Sequence, residues 1–107
     1  MRQQIIKHTK LLAYELYNRD IEVEFHKLTD CGVCLDNLIW FNERLLSGKV
    51  TEDEAGYWWK LMVHEVTHIE VRNEQGKTHI PKFYTAQTRN RKRVLQLKED
   101  FIKEVTA

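Results

Sequence analysis

The sequence is poor in residues that break or staple a chain. One proline and four glycines in 107 residues leave no linker and few sites for a tight turn. The formal net charge is +1, so neither sign is in excess and global charge points to no particular partner. No apolar run approaches the ~20 residues that cross a bilayer, which argues against a membrane partner. The opening Met1-Arg2-Gln3-Gln4 lacks the apolar region of a secretory signal. The simplest expectation is a soluble, cytoplasmic protein forming one domain over residues 1–107. The hydrophobic fraction of 42% suffices for one modest core.

Cysteine is scarce too, and both thiols fall in Cys31-Gly32-Val33-Cys34. Half of a zinc site needs two further ligands, and no second C-x-x-C exists. A thioredoxin-like pair needs a strand before it and a helix start after it. Here Leu35-Asp36-Asn37 reads as a turn and Leu38-Ile39-Trp40-Phe41 as a strand. A loop or hairpin that happens to carry two thiols is expected, with a disulfide clamping the loop as the alternative.

The rest of the chain divides into a few elements. In residues 4–18, Ile5, Leu12 and Leu16 recur at helical spacing, widened by Ile6, Ala13 and Tyr17. This predicts an amphipathic helix with His8 and Lys10 facing solvent. Residues 21–28 alternate, with Ile21, Val23 and Phe25 opposite Glu22, Glu24 and His26, as in a half-buried strand. His26, among acids, reads as a structural or solvated residue. Residues 29–37 read as a turn-rich connection and 38–42 as a second strand, buried on both faces or shared with a third, short one. Strands so close in sequence are expected to pair antiparallel. Thr51-Glu52-Asp53-Glu54 is a capping box, with three acids on the positive end of the helix dipole. It starts a predicted helix over 51–73, in which Trp58 and Trp59 supply core. Phe83, Ala86, Val94, Leu97, Phe101 and Val105 predict one C-terminal helix, with a break near Asn90 as a variant. The fold class is α+β: an N-terminal helix, a short antiparallel sheet of two to three strands, a long central helix and a C-terminal helix.

The central helix carries His64-Glu65-Val66-Thr67-His68, the pattern H-E-x-x-H. Residues i and i+4 share one helix face, so both imidazoles can aim at one point, as zinc requires. Glu65 projects about 100° away, close enough to take a proton from a metal-bound water. Chance alone produces this pattern in a few per thousand chains of this length, on the order expected from average composition. The plain alternative is a helix with two exposed histidines. The flanking Trp58, Trp59, Leu61, Met62, Val63, Val66 and Ile69 argue for burial instead, and buried imidazoles need partners.

Catalytic zinc usually takes three protein ligands and keeps one position for water. Glu70, Glu74, His79, Glu99 and Asp100 are candidates for the third. A metzincin needs Gly at 71 and His at 74, where this chain has Val71 and Glu74. His79 is preferred: it is a nitrogen ligand, it follows the helix-stopping Gly76, and Pro81 can open a further helix just after it. Glu99 or Asp100, a carboxylate of gluzincin type, is second choice.

These residues carry a family resemblance. His64-Glu65-Val66-Thr67-His68, a turn, then His79 with Phe83 four residues on, resembles the small zincin metallopeptidases of the SprT, WLM and YgjP kind, also called minigluzincin-like. Upstream, Leu38-Ile39-Trp40-Phe41-Asn42-Glu43-Arg44-Leu45-Leu46 is similar to the strand that precedes the family's active-site helix. The resemblance covers about residues 20–84. It implies a small zincin-like domain holding Zn2+ through His64, His68 and His79, with Glu65 as general base. It also implies a peptide or protein substrate lying along the strand at 38–42 as a sheet edge.

For the oxyanion formed during hydrolysis, Tyr84 and Arg89 are the nearest donors in sequence. Asn42, Asp53 and Glu70 are candidates for orienting the ligands. Arg89, Arg91, Lys92 and Arg93 form a basic cluster, read first as a solvated helix face and second as a nucleic-acid contact, chiefly through Arg91, Lys92 and Arg93. The competing function is a non-catalytic zinc-binding protein or a nucleic-acid interaction module on the same fold.

Overall fold

A computed structural model describes residues 1–72 and 80–107. The described residues form an α+β fold of four α-helices and one three-stranded sheet. The N-terminal helix α1 spans Arg2–Tyr17 and buries Ile5, Leu12, Ala13 and Leu16. Asn18 stops it in the left-handed region at φ 51°, and the Arg19 amide bonds back to the Ala13 carbonyl. This is the terminating geometry that asparagine tolerates next best after glycine.

Three strands follow: β1 over Glu22–His26, β2 over Gly32–Leu35 and β3 over Leu38–Asn42. Their order is β1-β3-β2. β2 and β3 are an antiparallel hairpin across Asp36 and Asn37, with Leu35 opposite Leu38. β1 runs parallel to β3, Val23 opposite Ile39. This corrects the antiparallel pairing expected for these two strands. The segment read as a connection is itself a strand, so the chain reverses twice between β1 and β3 and β3 regains β1's direction. It also makes β3 the central strand and β2 an edge. Asn42, 8% exposed, secures the crossover by donating to the Leu28 and Asp30 carbonyls, both at 3.1 Å.

A 3₁₀ turn, Glu43–Leu45, leads toward α2, Glu52–Thr67. Thr51 caps it: the Glu54 amide donates to Thr51 Oγ1 at 3.2 Å. Trp58 and Trp59 are buried, Trp58 edge-on to Phe41 and Trp59 against Phe101. They join the inner face of the sheet (Val23, Ile39, Phe41) to α1 and the C-terminal helix in one core. Burying aromatic area on this scale is a leading favourable contribution to such a small fold.

α2 ends at Thr67 and not near residue 73. Thr67 Oγ1 bonds back to the Val63 carbonyl, and the amides of residues 68, 69 and 70 each take a carbonyl three residues back. The last turn therefore tightens from α to 3₁₀ geometry. The C-terminal segment is two helices, α3 (Pro81–Arg93) and α4 (Leu95–Thr106). Pro81 occupies the first turn of α3, as expected. The break falls at the buried Val94, not at Asn90.

His8 is a second correction. It is 4% exposed, with Nε2 2.7 Å from Glu104 and its ring edge-on to Phe101. α4 folds across α1 on the stripe formed by Ile5, His8, Thr9 and Leu12, a covering that α1 alone does not reveal. Among the described residues, no helix is long and apolar enough to cross a membrane.

Candidate metal centre

His64 and His68 leave the last turn of α2 and its C-cap on one side of the helix. Their ring centroids are 5.1 Å apart and the planes lie at 85°. Two imidazoles bound through Nε2 to one tetrahedral ion, with Zn–N bonds of ~2.0–2.1 Å, have centroids roughly 5 Å apart. The observed spacing fits such an ion.

Hydrogen bonds select the matching tautomer. His68 Nδ1 donates to the Val71 carbonyl at 2.9 Å, and a carbonyl can only accept. His64 Nδ1 donates to Gln87 Oε1 at 2.9 Å. Each ring, with its proton on Nδ1, carries its lone pair on Nε2, the form a divalent cation binds. The tightened turn after Thr67 is what brings the Val71 carbonyl back to His68. Phe83 fixes the ring planes: it stacks on His68 at 4.4 Å and meets His64 edge-on at 4.8 Å.

Glu65 is 4% exposed and packs on the edge strand. A Cβ built on Gly32 would stand 3.1 Å from Glu65 Cγ, Cδ and Oε2, so only glycine leaves this carboxylate its place. Burial, helped by the negative charge of Asp30, pushes the Glu65 carboxyl up to about 8. A carboxyl held in so poor a solvent takes up a proton more readily than a hydrated one.

The two histidines and Glu65 open onto a cleft of about 770 Å³. One wall is β2 with Asp30 and Cys31 just before it. The other is the α2 stripe Tyr57, Lys60, Leu61, His64 and His68, with Gln87 and Arg91 of α3. A smaller hollow of about 300 Å³ adjoins it past His68 and Cys34. Both cysteines are free thiols. Cys31 Sγ lies 3.3 Å from Tyr57 Oη at the rim, while burial and then Glu65 push the Cys34 thiol up to about 12. Positions three apart on an extended strand are ~10 Å apart, too far for the ~5.5 Å of a disulfide. The hairpin thus carries two separate thiols.

The remaining sequence candidates divide. His79 and Glu74 lie outside the described residues. Among the described residues no three His, Cys, Asp or Glu converge as a metal set. Glu70 is taken up by Tyr17, at 2.8 Å, and by Arg89. Glu99 and Asp100 stand exposed on α4. Asn42 holds the crossover, and Asp53 lies in the first turn of α2, far along the helix from His64. Tyr84 is 52% exposed, and neither it nor Arg89 is among the described residues lining the cleft. Arg89 pairs with Glu70 and donates to Asn90. At about 100° per residue, Arg89 and Arg91 fall on nearly opposite sides of α3. Lys92 and Arg93 are exposed. The four charges therefore do not share one face.

Three supporting residues escaped the sequence reading: Gly32, Gln87 and Asn90. Asn90 is fully buried and donates to Tyr17 Oη at 2.7 Å and Thr67 Oγ1 at 3.1 Å, tying α3 to α1 and to the end of α2. Phe83, Ala86, Gln87 and Asn90 share one face of α3 by spacing, so two amides in an apolar stripe were the available signal.

No family model matches the chain, and no curated protein and no solved structure is significantly similar to it, so the likeness to the small zincins rests on the motif.

Proposed function

We propose that the protein is a zinc-dependent metallopeptidase in which His64 and His68 bind the ion, His79 completes the ligand set and Glu65 is the general base. The observation that carries this reading is the pair of Nδ1 hydrogen bonds, to Val71 and Gln87, which set both rings in the Nδ1-protonated tautomer beside a buried carboxylate. A bare helix with two surface histidines would need none of that support.

When bound, the ion supplies Lewis acidity, making water acidic near neutral pH and polarising a carbonyl. Glu65 takes the proton of the attacking water and returns it to the leaving amine. Its packing against Gly32 holds the carboxylate within reach of that water while the aliphatic stem excludes solvent. Substrate binding falls to β2. An edge strand offers N–H and C=O groups to an extended peptide, which would add as a further strand along the cleft. That role moves from the 38–42 strand, which is central, to Gly32–Leu35.

The test is zinc content per chain by elemental analysis, with peptide digestion before and after chelation. The expected result is one zinc per chain and chelator-sensitive cleavage. Glu65→Gln should keep the zinc and lose hydrolysis, whereas cleavage by the Gln variant would remove Glu65 from the base role. His79→Ala should weaken zinc binding, and unchanged affinity would exclude that ligand.

A further inference from the structure

Arg91 is the member of the basic cluster that faces the cleft. It lies one turn beyond Gln87 on α3, and Gln87 holds His64. Its Nε is buried and has no hydrogen-bond partner. Among the described residues, the ion pairs take up Arg89, Arg72, Lys10, Lys7 and Arg2, and none takes up Arg91 or Lys60, the other cation of the same cleft. The arginines of the neighbouring hollow differ: Arg72 pairs with Asp36 at 2.9 Å and Arg19 donates to Asn37 at 3.2 Å.

A half-buried guanidinium has already lost part of its hydration, and its planar fork matches a carboxylate in a way an ammonium does not. The acids of the cleft do not answer it. Glu65 packs against Gly32 on the strand side, and among the described residues no ion pair joins it to Arg91. The cleft thus presents two uncommitted cations along the wall that carries the histidines.

We propose that Arg91, aided by Lys60, forms a carboxylate-recognising subsite, so that the preferred ligands are peptides with an acidic side chain or a free C-terminus near the bond presented to Glu65. The choice of peptides as the ligand class rests on the peptidase reading. Arg91 is a specificity residue here, not a catalytic one.

Binding is measured on the zinc-loaded Glu65→Gln protein by fluorescence anisotropy. Four labelled peptides differ only in Glu or Gln at one position and in a free or amidated C-terminus. Carboxylate-bearing peptides are expected to bind at least about tenfold tighter than the neutral one, the scale of a charge-assisted hydrogen bond. Arg91→Met should abolish that difference, Arg91→Lys should keep part of it, and added salt should shrink it. Lys60→Met should reduce it less than Arg91→Met does. If the Gln free acid gains more than the Glu amide, the recognised group is the C-terminus; the reverse identifies the side chain. Equal binding of all four peptides, a difference that survives in Arg91→Met, or no binding at millimolar peptide overturns the subsite. Circular dichroism of each variant guards against misfolding, and Arg91→Lys supplies the folded control. The same peptides are then offered to the wild-type protein. Carboxylate discrimination without cleavage would sink the peptidase reading and leave the subsite standing. Cleavage without discrimination would do the opposite.

Discussion

Gly32 on the edge strand and Glu65 on the central helix lie so close that one more carbon on the strand would crowd the carboxylate. An alanine Cβ at 32 would lie 3.1 Å from three atoms of the Glu65 side chain. The helix and strand thereby fix the carboxylate from two sides. Gly32→Ala should displace Glu65 by a few tenths of an ångström, at a cost on the order of 1 kcal/mol in stability. Hydrolysis should fall at least about tenfold, since placement of a general base is worth ~10²–10⁴ in rate. Zinc affinity should barely change, because the three atoms nearest a Cβ at position 32 all belong to Glu65. Parallel measurement of kcat and zinc affinity checks this, and equal loss in both would show that the contact serves the whole site.

Gln87 accepts from His64 Nδ1 across two helices. Gln87→Ala removes the acceptor and frees the ring to rotate. Zinc affinity should drop about 10–100-fold, the usual penalty for losing such an orienting partner. Competition with a chromophoric chelator measures it. Gln87→Glu should restore most of the affinity by accepting the same proton.

Asn90 is fully buried and joins three helices through its amide. Asn90→Ala removes the donor to the Tyr17 and Thr67 hydroxyls, which keep only their bonds to Glu70 and the Val63 carbonyl, and each hydrogen bond lost costs ~0.5–1.5 kcal/mol. A fall of about 2 kcal/mol in unfolding free energy is expected from urea titration, a large share for a domain this small. A change below ~0.5 kcal/mol would mean that the network relaxes without loss.

Tyr17 sits in the same network, and its phenol is pushed up from the usual 10 to about 12, first by burial and then by Glu70. The folded protein keeps this proton between pH 10 and 12 while the unfolded chain releases it. Stability from Tyr17 is therefore fully present below pH 10 and lost as pH rises through 12. Tyr17→Phe should flatten that part of the alkaline stability curve relative to wild type. Identical slopes for the two proteins between pH 10 and 12 would refute the assignment.

The helices were largely legible in the sequence. Apolar spacing located α1 and α2, the Thr51 box marked where α2 starts, and Pro81 marked where α3 starts. Strand direction was not legible: alternation at Val23 and Phe25 tells which face is buried but nothing about whether the neighbour runs up or down. β2 was hidden because Gly32-Val33-Cys34-Leu35 is short, flanked by turn residues and carries no clean alternation. His8 stood at a position of the α1 stripe, and its polarity concealed that α4 would cover it. The histidine pair and Glu65 were readable because the motif is local. Their support was not, since Gln87, Asn90 and Gly32 act across space from three different elements. The third ligand, placed at His79, lies outside the described residues.

The edge strand beside the cleft is four residues long. A ledge of that length can register only about 13 Å of extended backbone. A guest laid on it would be read over a handful of positions, so each position must discriminate strongly for any selectivity to result. Compact folded partners offer such a stretch only where they expose an edge strand, whereas loose tails and unstructured loops present one at no cost in unfolding.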